Sequence, residues 1–333
     1  MAQLTLVTGA GGFIGGQTVR DLLAKAVPVR AVDKKPVDEW YFRSSNAENL
    51  VADLQLAESC DRVTKDVAHV YNLAADMGGM GFIESNKALC MLSVLINTHM
   101  LMAARKHGVD RFFYSSSACV YPGYKQTDAD VIALKESDAY PADAEDGYGW
   151  EKLFSERLCR HFREDFGLKT RVARYHNVYG PYGTWDGGRE KAPAAVSRKV
   201  AMAVITGKHE IEIWGDGKQT RSFMYIDDCL IGTQKLLHSD VEEPINIGSE
   251  EMVTINQLVD IVEEIAGVKL KRNYKLDAPK GVRGRNSDNT HIKARLGWAP
   301  SIPLRTGMEQ TYRWIYDQAK AREEGRPYIA AAA

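Results

Sequence analysis

Apolar positions along this chain fall into short runs that alternate with longer stretches of helical distribution. Leu4-Thr5-Leu6-Val7 reads as a strand, and it runs at once into Thr8-Gly9-Ala10-Gly11-Gly12-Phe13-Ile14-Gly15 and a leucine- and valine-rich helix through Ala26. A second apolar run, Val29-Arg30-Ala31-Val32, follows. Strands at 67–73, 111–116 and 170–175 then alternate with helical segments at 89–105 and 148–166. This alternation predicts an α/β fold with a parallel, doubly wound sheet. Beyond Gly180 the pattern loosens, with glycine and proline punctuation, a basic helix around 196–205 and a short strand at 210–214. Residues 1–180 are expected to form the sheet domain, with a segment around 218–250 returning to it. Residues 181–329 are expected to form mainly a smaller, discontinuous lobe, leaving 330–333 as a tail. Substrate is expected between that lobe and the carboxyl ends of the strands.

The glycine turn gives this architecture a ligand. Gly9, Gly12 and Gly15 allow a tight turn, close approach of backbone N–H groups to a pyrophosphate, and close packing of helix on strand; the helix N-terminus favours the anion. Asp33, at the end of the second strand, suits a ribose diol and argues for NAD. Lys34 and Lys35 follow it directly, and basic residues there could instead accept the 2′-phosphate of NADP.

Tyr148-Gly-Trp-Glu-Lys152 places a phenol and an ammonium four residues apart on one helix face. The ammonium stabilises a phenolate, so a group whose unperturbed pKa is about 10 could exchange a proton near neutral pH. Composition fits a soluble enzyme, and a formal charge of -1 offers nothing to nucleic acid. No apolar stretch reads as approaching the roughly 20 residues of a membrane span, and the cofactor strand begins too early for a signal peptide. A cytoplasmic protein is expected. Cys60, Cys90, Cys119, Cys159 and Cys229 are widely spaced, without metal-ligand spacing, and are expected to be free thiols.

The apolar strand Arg111-Phe112-Phe113-Tyr114 runs into Ser115-Ser116-Ser117-Ala118-Cys119-Val120-Tyr121-Pro122, which places small polar residues at a strand's carboxyl end. Together with Asn72-Leu73-Ala74-Ala75, the Tyr148/Lys152 pair and the 215–223 stretch Gly-Asp-Gly-Lys-Gln-Thr-Arg-Ser-Phe, they resemble the extended short-chain dehydrogenase/reductase family acting on nucleotide sugars. The resemblance covers nearly the whole chain. It implies a Rossmann-type fold, tightly bound NAD, and hydride transfer served by Ser117, Tyr148 and Lys152. It also implies cofactor contacts at Phe13, Ile14, Asp53 and Ala74, a structural Asn97, and a homodimer joined through the helices at 86–105 and around Tyr148.

Four unusual stretches narrow the resemblance to the family's GDP-mannose 3,5-epimerases: 76–82, 117–122, Gly183-Thr184-Trp185-Asp186-Gly187-Gly188-Arg189-Glu190-Lys191-Ala192-Pro193, and 281–289. That branch implies Cys119 and Lys191 as a base/acid pair, where 4,6-dehydratases carry Asp-Glu and simple 4-epimerases carry Thr or Ser at the Cys119 position. A thiol with a free pKa of about 8.5 works as a base only if a cation lowers it, and Lys191 is the expected cation. Substrate is expected against Gly78, Gly79, Met80, Ser117, Asn177 and Lys191. Lys199, Arg221 and Arg283 are expected on the diphosphate, with Arg285 as a neighbouring candidate. Two alternatives stay open here: another NAD-dependent nucleotide-sugar epimerase or dehydratase, and a cofactor-binding regulator without turnover.

Overall fold

The computed structural model describes residues 3–278 and 281–329, so the 330–333 tail lies outside the described residues. Seven parallel strands form one sheet: β1 Thr5–Thr8, β2 Val29–Asp33, β3 Glu48–Val51, β4 His69–Asn72, β5 Arg111–Ser117, β6 Lys169–Tyr175, and Ile245–Ile247. Their order across the sheet is Ile245–Ile247, β6, β5, β4, β1, β2, β3. Connectivity reverses between β1 and β4, which opens a crevice at the carboxyl ends of those strands.

Period-two alternation explains why both faces are covered. Val7, Tyr71 and Phe113 point into one cluster with Val19, Leu22, Cys229 and Leu236. Their neighbours Leu6, Val70 and Phe112 point into the other, with Val63, Met100, Leu101 and Cys159. Buried on both sides, the strands read as nearly continuous apolar runs. The first cluster continues into the second half of the chain through Val196, Val200, Ile211, Ile213, Val259 and Met308.

The Lys87–Lys106 segment departs from the sequence expectation, since its length and mean hydropathy of 1.4 match those of a membrane-crossing helix. It divides at Leu92 into helices Lys87–Met91 and Ser93–Lys106, and Ile96, Met100, Leu101, Ala103 and Ala104 enter the core. Its apolarity is that of a helix with core on one side.

Past Gly180 the chain serves two bodies. The helix Ile226–Leu237 packs against β6, and Ile245–Ile247 extends the sheet by pairing Ile245 with Ala173. The remaining segments build a lobe of three mutually packed helices, Ala192–Thr206, Ile255–Ala266 and Leu304–Glu323. A parallel pair, Glu210–Trp214 with Lys271–Lys275, belongs to it. So does a three-stranded sheet ordered Met252–Thr254, Thr220–Ser222, Gly284–Arg285.

Candidate active site

Gly9, Gly12, Phe13, Ile14, Gly15, Asp33, Asp53 and Ala74 line one cleft of about 340 Å³ at the reversal point. Gly9 has φ +68°, and a Cβ on Gly15 would lie 2.0 Å from the Gly9 carbonyl oxygen, so the turn tolerates no side chain there. The buried Asp33 carboxylate accepts the Gly11 N–H at 3.0 Å and the Lys35 N–H at 3.1 Å, which fixes it at the cleft wall. A bare cradle ending in a fixed acceptor suits a dinucleotide. Asn97 acts structurally: it accepts from Asn72, whose own carbonyl accepts from Thr8, joining the ends of β1 and β4.

Lys34, left between two cofactors by the sequence, is committed elsewhere. Its ammonium donates to both Asp76 oxygens at 2.9 Å, and Arg189 approaches the same carboxylate at 4.0 Å. Lys34 follows β2 and Asp76 lies beyond β4, so this bridge crosses the glycine turn that follows β1 between them. All three side chains line the cofactor cleft.

A second cleft of about 510 Å³ adjoins the first at Met77 and Lys191. Ser117, at the end of β5, and Tyr148, near the start of the Asp146–Phe166 helix, both line it. The Lys152 ammonium lies behind Tyr148, 5.4 Å from its ring centre and 4.9 Å from that of Tyr114. In the protein alone burial pushes the Tyr148 phenol well above its usual range, reinforced by Cys119 and Glu151 and opposed by a Ser117 hydrogen bond. The sequence expectation of a phenol near neutrality counted the ammonium and omitted the burial.

Cys119 lines the same cleft at the turn after β5. Burial, then Glu145, raises its thiol, while Arg285, a Ser117 hydrogen bond and Lys191 lower it. The Arg285 guanidinium is the close cation, donating to Sγ at 3.6 Å, to Gln126 Oε1 at 2.6 Å, and to Glu145. Lys191 was expected in this place; it acts behind Arg285. Its own ammonium is disfavoured by burial, favoured by Cys119 and disfavoured by Arg285. Burial thus moves thiol and ammonium toward each other, the requirement for a pair that both takes and returns protons.

The remaining expected substrate residues divide. Gly78, Gly79, Met80, Asn177, Lys199 and Arg221 line the second cleft. A Cβ on Gly79 would meet the Glu190 carbonyl at 2.6 Å, so the glycine loop lies tightly against the segment carrying Lys191. Asn177 combines φ +40° with a side-chain bond to the Ser222 carbonyl, serving the turn as well as the cleft wall. Lys199 donates to the Glu212 carbonyl, and the half-buried Arg221, lowered to about 10 by loss of solvent and by Arg285, donates to the carbonyls of Thr220 and Val282. Arg283 does not line the cleft; it pairs with Asp216 at 2.8 Å and holds that carboxyl down at about 2. Arg285 faces inward in its place, because the N–H groups of Arg283 and Gly284 both turn to the Gln126 carbonyl and break the strand's alternation.

A glycine-cradled dinucleotide cleft that adjoins a second cleft lined by Ser117 and Tyr148, with Lys152 behind the phenol, defines a dinucleotide-dependent enzyme. The NAD dependent epimerase/dehydratase family matches residues 5–248, and the chain belongs to that family. It is 50% identical to GDP-mannose 3,5-epimerase 1 of Oryza sativa subsp. indica over 94% of this chain and 81% of the relative. With GDP-mannose 3,5-epimerase of Arabidopsis thaliana it shares 49% identity over 94% of this chain and 82% of the relative. Among solved structures, UDP-glucose 4-epimerase of Thermotoga maritima superposes with a TM-score of 0.84 at 26% identity, covering 95% of this chain and 99% of that one.

Proposed function

We propose that this chain is an NAD-dependent isomerase that converts GDP-D-mannose to GDP-L-galactose by inverting carbons 3 and 5, with GDP-L-gulose as the product of inversion at carbon 5 alone. The observation that carries this reading is the presence of Cys119 and Lys191 in the same cleft as Ser117 and Tyr148. The 50% identity to GDP-mannose 3,5-epimerase 1, over 94% of this chain, supports the substrate.

NAD, when bound, supplies a hydride acceptor and then a donor at carbon 4. Tyr148, steadied by Ser117 and Lys152, removes the proton of the carbon 4 hydroxyl, leaving a ketone that acidifies the hydrogens at carbons 3 and 5. Cys119 and Lys191 then act from two sides of the ring, one removing a proton and the other returning one, which inverts each centre. Tyr148 finally gives its proton back to the carbon 4 oxygen. No net oxidation occurs, so the dinucleotide stays bound between turnovers.

Two wider features belong to the same reading. Met91, Leu95, Met102, Trp150 and Phe154 expose apolar surface on the packed helices Lys87–Met91, Ser93–Lys106 and Asp146–Phe166, which supports pairing with a second copy through those helices. Five free, buried thiols support a reducing, cytoplasmic setting.

Proton NMR of the purified protein with GDP-mannose in deuterium oxide, without added NAD, tests the function. Deuterium at carbons 3 and 5, new sugars, and silence in Cys119→Ala and Lys191→Ala are expected. Absence of exchange in the wild type removes GDP-mannose as the substrate.

A further inference from the structure

Glu151 is a buried carboxylate that the proposed reaction does not use. It and Lys152 are consecutive on the Asp146–Phe166 helix, yet their side chains are only 1% and 2% exposed. Consecutive helical residues point about 100° apart, and both turn inward because this helix lies between β5 and β6 on one side and Lys87–Met91 on the other. Glu151 Oε1 accepts from the Tyr114 hydroxyl at 3.1 Å and from Ser155 Oγ at 3.2 Å. Oε2 receives no hydrogen bond and lies 3.5 Å from the Lys152 ammonium. The carboxylate is therefore clamped through one oxygen and presents the other to the lysine.

An ammonium out of water is costly unless a fixed counter-charge faces it. We propose that Glu151 is a positioning residue acting through Lys152: its carboxylate faces the Lys152 ammonium and tempers how strongly that ammonium favours the Tyr148 phenolate. This rests on the reading of Tyr148 as the proton acceptor at carbon 4. The titratable groups around the carboxylate are Tyr114 from β5, Tyr148 from the same helix, Cys90 from Lys87–Met91, and Lys152 itself. Lys152 is the cation that faces it directly. Glu156, one turn further along the helix, is taken up by Arg174 at 2.7 Å and by Ser116. A negative charge at this place opposes ionisation of Tyr148.

The test is the pH dependence of kcat on GDP-mannose for NAD-loaded wild type and Glu151→Gln. Glutamine keeps a hydrogen-bonding oxygen and removes the charge. The acidic limb is expected to move to lower pH by roughly one unit, about tenfold more turnover at a fixed pH on that limb. A limb that stays in place or moves upward overturns the proposal. Tyr114→Phe, which removes one clamp and no charge, is expected to lower stability with the limb unmoved; Glu151→Gln behaving in the same way marks a purely structural carboxylate. Should Glu151→Gln not fold, Glu151→Asp draws the carboxylate back by one methylene, and a smaller displacement in the same direction is expected. Wild type inert toward GDP-mannose at every pH overturns the substrate reading instead. The Tyr148 titration is then followed by ultraviolet difference spectroscopy against Tyr148→Phe, with the same displacement expected and the same unmoved result overturning the role of Glu151.

Discussion

Burial and Glu145 raise the Cys119 thiol, and Arg285 is the largest of the influences that lower it. Replacing Arg285 with methionine keeps much of the bulk, removes the close cation, and leaves the Glu145 carboxylate without its partner. Deuterium exchange into the sugar should fall by about 10²- to 10³-fold, within the range for general acid–base catalysis, and alkylation of Cys119 by iodoacetamide should slow in parallel. The residues that line this cleft were picked out in the chain by a family resemblance carried over several stretches together, since the Tyr148/Lys152 spacing is common on its own. Which of two neighbouring arginines turns inward was not legible. Arg283 and Arg285 are two apart and would share a face in a regular strand; a shared acceptor at Gln126 separates them, and no local pattern encodes that contact. The height of the Tyr148 phenol was hidden for a related reason, since spacing reveals the lysine and burial depends on the whole fold.

Elements with a strong period were read directly. β1, β2, β4, β5 and β6 stand out because both faces are covered, whereas β3 is shorter in apolar content and Ile245–Ile247 has only three residues, so tertiary pairing defines them more than sequence does. The junction between β6 and Ile245–Ile247 carries a pH signature. His176, fully buried past the end of β6, bonds Asn246 at 3.1 Å, and burial lowers its imidazolium to about 3 from the usual 6.5. The unfolded chain takes up a proton below about pH 6.5 that the folded chain refuses until about pH 3. Stability therefore falls as pH drops through that window, by about 1.4 kcal/mol per unit from this group. Urea unfolding midpoints at several pH values should show the slope in the wild type and lose that part of it in His176→Gln. A slope unchanged by the substitution assigns the acid sensitivity to other groups.

At the scale of the molecule, apolar surface outside the core asks for cover. Sedimentation equilibrium at micromolar concentration is expected to give twice the chain mass, and Met91→Asp combined with Phe154→Asp to give the single chain, because two charges would be trapped in a closed apolar contact. A single-chain mass for the wild type removes the pairing. The Lys34–Asp76 bridge is also a whole-molecule feature, since it ties the ends of β2 and β4, the strands on either side of β1, at the cofactor cleft. Lys34→Ala should lose nucleotide during gel filtration where the wild type keeps it, measured by the ratio of absorbance of nucleotide to protein.

The bridge has a further meaning for a reaction that returns its hydride to the carbon it left. Each molecule carries its own oxidant, and the strap beside it is expected to slow trade with the surrounding pool. Output then follows the supply of sugar and the number of enzyme molecules, and is insulated from the oxidised-to-reduced ratio of the medium, so that a shift in metabolic state leaves this step running at its own pace.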